Sequence, residues 1–315
     1  MSMRTDLAVV LLIFLPLSSA VAELSVADGR VRMDGLLQVG AELHEFEQGG
    51  WRQFGFAFQR RAAQLGLSAE LAKAVRGRVE FDFNSLSLRE LYMSFDMPRQ
   101  VNLTAGLFSV PFGFEAATPD RELVVVGRSP VYWLAKPGGP RDVGVMATWN
   151  GLCWLQAMAA LVNGSGAGAS DENSWKDLCA RVVYSGLADD GLELAGRGYY
   201  GHEGGANVTW LAGGAEARFR RDGFSAQAEY QRTIRGAEWT NLASVQVAYE
   251  WRFMVPALRA ALVDRKDEDL EVQIDAALGL RVVGDKVKLS LSYQYHRVLN
   301  NWFYGSYGLQ LQGAL

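Results

Sequence analysis

Alternation of apolar and polar residues, repeated along nearly the whole chain, constrains the fold more than any other feature of this sequence. The segment 286–297 puts its apolar residues on one face and its polar residues on the other, and the segment 271–281 does the same. This period of two is typical of a strand with one apolar and one polar face. Sixteen such segments lie between residues 31 and 314. A soluble β-sandwich would also alternate, so periodicity alone leaves the fold class open.

The lengths of the connections separate the two alternatives. Every second connection is a tight turn, such as Asp222-Gly223 or Gly284-Asp285, and longer connections occur between them, at 43–54, 109–141, 163–176, 201–208 and 233–241. Short turns at one end and longer loops at the other are characteristic of outer-membrane barrels. Many segments also reach the ~9–11 residues that a tilted strand needs to cross a bilayer. We therefore predict an all-β fold, a transmembrane antiparallel β-barrel of sixteen strands.

The first 22 residues form a separate segment. Arg4 supplies a charged start, residues 7–17 are apolar, and Ala20-Val21-Ala22 is a typical cleavage site. This pattern predicts a signal peptide at 1–22 and an exported barrel at 23–315 in a bacterial outer membrane. An uncleaved anchor is the alternative, but the apolar run is shorter than the ~20 residues of a spanning helix. The net charge of -4 gives no reason to expect a nucleic-acid partner.

One long connection interrupts the pattern of strands. Residues 108–142, called here the constriction loop, contain five of the eight prolines together with many apolar residues. A loop of this length is usually functional or disordered, and its apolar residues favour a packed loop. Thr118 is predicted to cap a short helix that starts at Pro119, with Asp120 and Glu122 in its first turn. We expect this third loop to fold inward and narrow the barrel.

Several motifs in the first half of the chain resemble one known family. They are RRAAQLGLSAEL (60–71), RVEFDF (78–83), LRELYMSF (88–95), AGLFSVPFGFE (105–115), DREL and GRS (120–129) and PRDVGV (140–145). With these motifs the chain resembles the phosphate-selective porin O and P family. The resemblance implies a sixteen-stranded barrel, usually a homotrimer, with an anion-favouring pore. The chain departs from the family in its short length and in its last residue, Leu315, where an aromatic residue is usual.

Basic residues on the polar parity of the strands are candidates for the pore lining. They are Arg60, Arg78, Arg181, Arg197, Arg218, Arg220 and Arg259, and the constriction loop adds Arg121, Arg128, Lys136 and Arg141. Guanidinium groups stay charged and offer several donors to an oxyanion, so rows of arginine suit anion passage. Acidic residues share the same parity. The alternatives are a wall of salt bridges, and loop charges that attach the loop to the wall by ion pairs.

Other classes of function find less support in the sequence. The three histidines, His44, His202 and His296, belong to no hydrolase motif, and no haem or metal motif occurs. We therefore expect no enzyme, no cofactor and no metal site. The sequence predicts a porin for passive diffusion of small hydrophilic solutes, with membrane lipid around it and small anions favoured. The alternative is a non-conducting barrel that serves as a sleeve or scaffold for a partner protein.

Overall fold

The structure is a computed structural model. It describes residues 24–314 except 27–29, 135, 137, 170, 172, 188–190, 204–207, 285 and 300. The signal peptide predicted at 1–22 lies outside the described residues. Within the described residues, no helix is long and apolar enough to cross a membrane.

Seventeen strands of the described chain form one sheet, and sixteen of them close into an antiparallel barrel. A short first strand, β1 (Leu24–Val26), pairs with the start of β2. The barrel strands β2 to β17 are Val31–Gln48, Trp51–Ala72, Val75–Asp82, Ser87–Met97, Val101–Ser109, Arg141–Leu152, Leu155–Val162, Asp177–Leu187, Leu192–Glu203, Val208–Arg221, Phe224–Arg235, Glu238–Tyr249, Met254–Arg265, Glu271–Val283, Val287–Val298 and Trp302–Ala314. Pairing of β17 with β2 closes the barrel. The predicted fold class and strand number are confirmed.

The two faces of the wall differ as the alternation predicts. On β14, Leu258 and Leu262 are 49% and 42% exposed on the outer face. Between them Arg259 and Ala261 are 2% and 1% exposed, because they face the lumen, where the constriction loop packs against this strand. Outward apolar residues and inward polar residues are what a membrane-spanning barrel requires.

The first hairpin corrects one predicted boundary. The segment 43–54 was expected to be a long loop, but β2 runs to Gln48 and β3 starts at Trp51. Gly49 and Gly50 make the turn, and both have positive φ, 59° and 82°. Only glycine adopts this backbone readily, so two glycines suffice to reverse the chain. β3 pairs with β4 only from Gln64 onward. The turn end of the β2–β3 hairpin therefore extends beyond the end of β4.

The constriction loop contains short helices, but not the one predicted. The helix α1 is Phe114–Ala117 and α2 is Pro130–Leu134, with a single 3₁₀ turn at Asp120–Glu122 between them. Thr118 follows α1 and donates its hydroxyl to the Phe114 carbonyl at 2.8 Å, so it caps no helix start. Pro119 has an extended backbone (ψ 149°), and no α-helix begins there. Arg89 and Arg128 bind the Asp120 carboxylate, which is therefore unavailable to stabilise a helix start.

Candidate channel lumen

The constriction loop crosses the lumen and packs against the opposite wall. Val131 of α2 is buried against Leu242 of β13 and Val263 of β14. Nearer its start, the Phe112 ring meets the Tyr199 ring edge-on, with centroids 6.0 Å apart. Apolar contacts of this kind stabilise the inward position because they remove the loop's apolar surface from water. The predicted inward fold of the loop is present.

Glu115 in α1 is the central anchor of the loop. Its carboxylate accepts the Ser129 amide at 2.8 Å and the Ser129 hydroxyl. The same carboxylate lies 3.2 Å from a guanidinium nitrogen of Arg259, which also pairs with Asp275 at 2.7 Å. The Glu115 amide in turn donates to Glu229 at 2.8 Å. One buried residue thus joins α1 and the residue before α2 to strands β12 and β14 of the wall.

Two further arginines hold the ring of Phe114. The guanidinium carbons of Arg181 and Arg218 lie 4.7 Å and 4.3 Å from its centroid, within the range of cation–π contacts. Arg181 also pairs with Glu216 at 2.6 Å, and Arg197 pairs with Glu229 at 2.7 Å. Burial of such charges is tolerated because each has an ionic partner.

Asp120 attaches the middle of the constriction loop to strands β3 and β5. It accepts hydrogen bonds from Arg128 and from Gln64 at 3.0 Å, and it pairs with Arg89 at 2.8 Å. Burial by itself would raise the pKa of Asp120, but the guanidiniums of Arg128 and Arg89 outweigh it and hold the pKa below its usual range. The carboxylate therefore stays charged in acid.

This contact predicts how the channel responds to acid. A carboxylate whose folded pKa is depressed contributes stability above its unfolded pKa of about 3.9, and loses it as the pH falls through the lower folded value. We therefore expect the loop to stay attached, and single-channel conductance to stay constant, between pH 7 and pH 4. Conductance steps recorded in planar bilayers along this range test the expectation. An Asp120→Asn variant lacks the charge that attaches the loop, so raised conductance of this variant at neutral pH would agree with the expectation. A wild-type channel whose conductance rises well above pH 4 would contradict it.

Open space remains on both sides of the loop. A cavity of about 1220 Å³ lies toward the loop end of the barrel, and one of about 640 Å³ lies toward the short-turn end. Leu123, Lys288 and Gln312 line both. There the Lys288 ammonium donates to the Leu123 carbonyl at 2.6 Å, and the Gln312 amide donates to the Arg121 carbonyl at 2.9 Å. We call this junction the constriction, because the side chains of Leu123, Lys288 and Gln312 line both cavities there.

Gln312 allows a direct test of the constriction. Its side-chain oxygen accepts the Gln38 amide at 2.8 Å, so it links the wall to the loop. Replacing it with alanine removes both contacts and side-chain volume between the cavities, at a cost of about 1 kcal/mol per hydrogen bond. We expect Gln312→Ala to raise single-channel conductance. Gln156→Ala, in a strand that lines neither cavity, is the matched control. Equal conductance of Gln312→Ala and wild type would place the narrowest point elsewhere.

The linings of the two cavities are more basic than the wall as a whole. Among the residues that the structure describes, six basic side chains and two acidic ones line the loop-end cavity. Within the same residues, five basic and three acidic side chains line the short-turn-end cavity. Wall acids such as Glu216, Glu229 and Asp275 pair with wall arginines and take no part in either lining. The open space is thus left with an excess of positive charge.

The candidate residues divide into two groups. Four candidates of the wall belong to ion-pair networks, as the alternative of a salt-bridged wall predicts. They are Arg78 (bound to Asp34, Glu80 and Glu90), Arg181, Arg197 and Arg259. In the loop, Arg128 binds Asp120, and Lys136 is buried against Asp142 at 3.1 Å. The others line cavities: Arg121, Arg218 and Arg220 at the short-turn end, and Arg141 at the loop end. Arg218 also pairs with Glu193.

Arg60 is placed differently from the prediction. Pairing between β2 and β3 shifts at this point, from Gln38 opposite Ala62 to Val39 opposite Arg60. The extra residue, Arg61, takes the lumenal position and pairs with Glu42 at 2.9 Å. Arg60 consequently shares the outer face with exposed Phe58, although it also borders the loop-end cavity. A β-bulge changes the parity of a strand in this way.

A second bulge brings Arg89 into the lumen. Glu80 pairs with Glu90, but the next pair joins Phe81 to Leu88, so Arg89 has no residue opposite it. It reaches Asp120 of the loop. Strict alternation missed both Arg61 and Arg89. The adjacent arginines Arg60-Arg61 and the adjacent charges Arg89-Glu90 were the available signals, since alternation can place only one residue of each pair inward.

A closed sixteen-stranded barrel with a lumen narrowed by an inward loop defines the class of outer-membrane porins, channels for small solutes. The model of the phosphate-selective porin O and P family matches residues 31–259. This chain belongs to that family.

Solved structures of outer-membrane proteins share the fold. The high-pH structure of OprB from Pseudomonas putida is similar with a TM-score of 0.68 at 11% identity, covering 90% of this chain and 94% of that one. The trimer form of OmpT from Vibrio cholerae has a TM-score of 0.63 at 9% identity, covering 90% and 99%. OmpF from Salmonella typhi, in complex with daunomycin, has a TM-score of 0.62 at 11% identity, covering 92% and 100%. A comparison with curated proteins finds no match.

Proposed function

We propose that this porin passes small hydrophilic solutes by passive diffusion and favours anions, with phosphate-like anions among its solutes. The observation that carries the proposal is the excess of basic side chains around both lumenal cavities. In a narrow passage with low-dielectric walls, charge of one sign raises the local concentration of the opposite ion. Among the described residues, the acids in both linings are fewer than the bases.

The path that we infer runs from the loop-end cavity, past Leu123 and Lys288, to the short-turn end. The barrel satisfies its backbone groups between strands, so the wall is stable in hydrocarbon. The constriction sets the size limit. Arg121, Arg141 and Arg220, together with Lys288, bias which ions cross it.

We further propose export by the signal peptide 1–22 and assembly as a homotrimer in the outer membrane. The trimer form of the Vibrio cholerae OmpT structure supports the second of these. A sleeve for a partner protein has less support, because the chain's own loop occupies much of the lumen that a partner would need.

The test is the reversal potential of refolded protein 23–315 in a planar bilayer under a potassium chloride gradient. We expect a potential displaced toward the chloride equilibrium value, because basic groups line both cavities. Repeating the measurement at higher salt is the control, since screening shortens the reach of these charges and should reduce the preference. A potential near zero or toward potassium contradicts the anion preference, and absence of conductance contradicts the channel itself.

A further inference from the structure

A group of aromatic side chains lies on the lumenal face of the wall at the loop end of the barrel. Pairing of β16 with β17 and of β17 with β2 runs without a bulge in this region. The group therefore shares the face of Gln38 and Gln310, which line the loop-end cavity. Its members, called here the aromatic patch, are His44 and Phe46 of β2, His296 of β16, and Trp302 and Tyr304 of β17.

The rings of the patch contact one another across three neighbouring strands. The Trp302 centroid lies 4.7 Å from that of His296 and 6.2 Å from that of Phe46. The His44 and Tyr304 rings stack with their centroids 6.2 Å apart. From the spacing of residues and strands in a sheet, the patch measures roughly 14 Å along the strands and roughly 10 Å across them. It is large enough to carry a disaccharide.

These rings are open to the lumen, unlike the rings that hold the constriction loop. Phe112 and Phe114 of the loop are 4% and 2% exposed, whereas all five rings of the patch are only partly buried. Leaving apolar surface in water costs about 25 cal/mol per Å². Exposed apolar surface with a polar rim is typical of a binding site.

Hydrogen-bonding groups with balanced charge surround the patch. Glu42 accepts the Tyr304 hydroxyl, and a Glu271 oxygen lies 2.6 Å from Nε2 of His296. Both carboxylates also pair with an arginine at 2.9 Å, so their charge is compensated. Rings beside neutralised polar groups favour a solute that is itself neutral, with an apolar face and a hydrogen-bonding edge.

Open space lies at both ends of the patch. At the strand ends, Trp302, Gln48 and Asn301 are among the residues that line a cavity of about 510 Å³. At the deeper end, Gln59 donates to Glu42 at 2.6 Å and also lines the loop-end cavity. The patch therefore lies between the mouth of the barrel and the loop-end cavity.

We propose that the aromatic patch is a subsite for sugar rings at the entrance of the channel. The C–H groups of a sugar ring form two weakly polar faces, and its hydroxyls form a polar edge. A face packs on the aromatic rings, while the edge reaches the amides and carboxylates of the rim. The inference rests on the proposed passage of small hydrophilic solutes, and it is independent of the anion preference. A sugar held there obstructs the ion path.

The experiment is block of the potassium chloride current by maltose, a neutral disaccharide, added to one side of a phospholipid bilayer at a time. Sorbitol at equal mass concentration is the reference, because it has hydroxyls but no ring and accounts for viscosity and excluded volume. For wild type we expect maltose to lower the conductance saturably and beyond the effect of sorbitol. The half-blocking concentration should be lower from the loop-end side, where the patch lies.

Replacing Trp302 with alanine tests the central ring of the patch. We expect Trp302→Ala to raise the half-blocking concentration of maltose by about fivefold, the loss expected for one aromatic contact. Trp302→Phe keeps a ring and should lie nearer the wild-type value. Phe46→Ala, which removes a neighbouring ring, should weaken the block in the same direction. Each value is divided by the open current of the same variant, so a change in pore size does not imitate a change in binding.

Tyr307→Ala is the matched control. Tyr307 is an aromatic residue of the same strand, but it lies on the outer face and is 62% exposed there. Its replacement leaves the lumenal face unchanged, so its half-blocking concentration should equal that of wild type.

The outcomes separate this inference from the proposed function. A conducting channel on which maltose acts no more strongly than sorbitol overturns the sugar subsite and leaves the anion preference standing. Block that is unchanged in both Trp302→Ala and Phe46→Ala overturns the subsite as well, as does an equal loss of block in Tyr307→Ala. Saturable maltose block in a channel without anion preference supports the subsite while contradicting the proposed selectivity.

Discussion

Replacing Glu115 with alanine is expected to release the constriction loop from the wall and to raise single-channel conductance more than any other single change. The substitution removes the acceptor for the Ser129 amide and hydroxyl, and it removes one of the two carboxylates of buried Arg259. Arg259 keeps its pair with Asp275, so the cost is below the about 3–5 kcal/mol typical of a buried charge left without any partner. We expect a lower thermal unfolding temperature and passage of larger polyethylene glycols, measured on refolded protein and in planar bilayers.

Glu122→Ala is the matched control for this change. Glu122 belongs to the same loop, but its side chain is 55% exposed and its nearest cation, in Arg121, is 3.9 Å away. Its replacement should leave the unfolding temperature and the size limit unchanged. If Glu115→Ala also keeps the wild-type size limit, the apolar contacts of Val131 and Phe112 hold the loop without the ion pairs.

Replacing the three cavity-lining arginines Arg121, Arg141 and Arg220 with glutamate is expected to change the ion selectivity from anions to cations. Arg141 and Arg220 have no carboxylate within ion-pair distance in the described part of the chain, and those near Arg121 are 3.9 Å away. Their positive charge therefore acts on the open path. The change removes three positive charges from the linings, which carry only a small basic excess, and adds three negative ones. The reversal potential should move from the chloride side to the potassium side.

The control variant has glutamate in place of Arg99, Arg235 and Arg297, which line neither of these two cavities. It makes the same change in net charge, so it should shift the reversal potential far less. Equal shifts in both triple variants would mean that overall charge, and not the lining of the path, sets selectivity. If the variant of Arg121, Arg141 and Arg220 keeps the wild-type selectivity, ions do not pass close to these three residues.

The fold could be predicted from the sequence because its signals are local. Alternation with a period of two, tight turns and chain length depend on neighbouring residues, so they predict sixteen strands and a closed barrel. The position of the constriction loop could also be predicted, from its prolines and its apolar residues. The helix predicted at Pro119 was wrong, because ion pairs with Arg89 and Arg128 outweigh the local preference of Thr118 and Asp120.

The lining of the channel was less predictable because it depends on register and on distant partners. One extra residue at Arg61 and another at Arg89 change the parity of their strands. Strict alternation places neither residue, although adjacent charged residues mark both positions. Arg259 and Glu115 lie 144 positions apart, and only the inward loop brings them together.

The sequence by itself therefore determined the barrel and the inward loop, because hydrophobic alternation and turn chemistry act over a few residues. The tertiary structure alone decided which charges are neutralised in the loop anchors and which face the open path. That division follows from contacts between nearby strands and between the loop and the wall, which no local pattern records. They pair the buried arginines Arg181 and Arg259 with acids and leave Lys288 in the lining of both cavities.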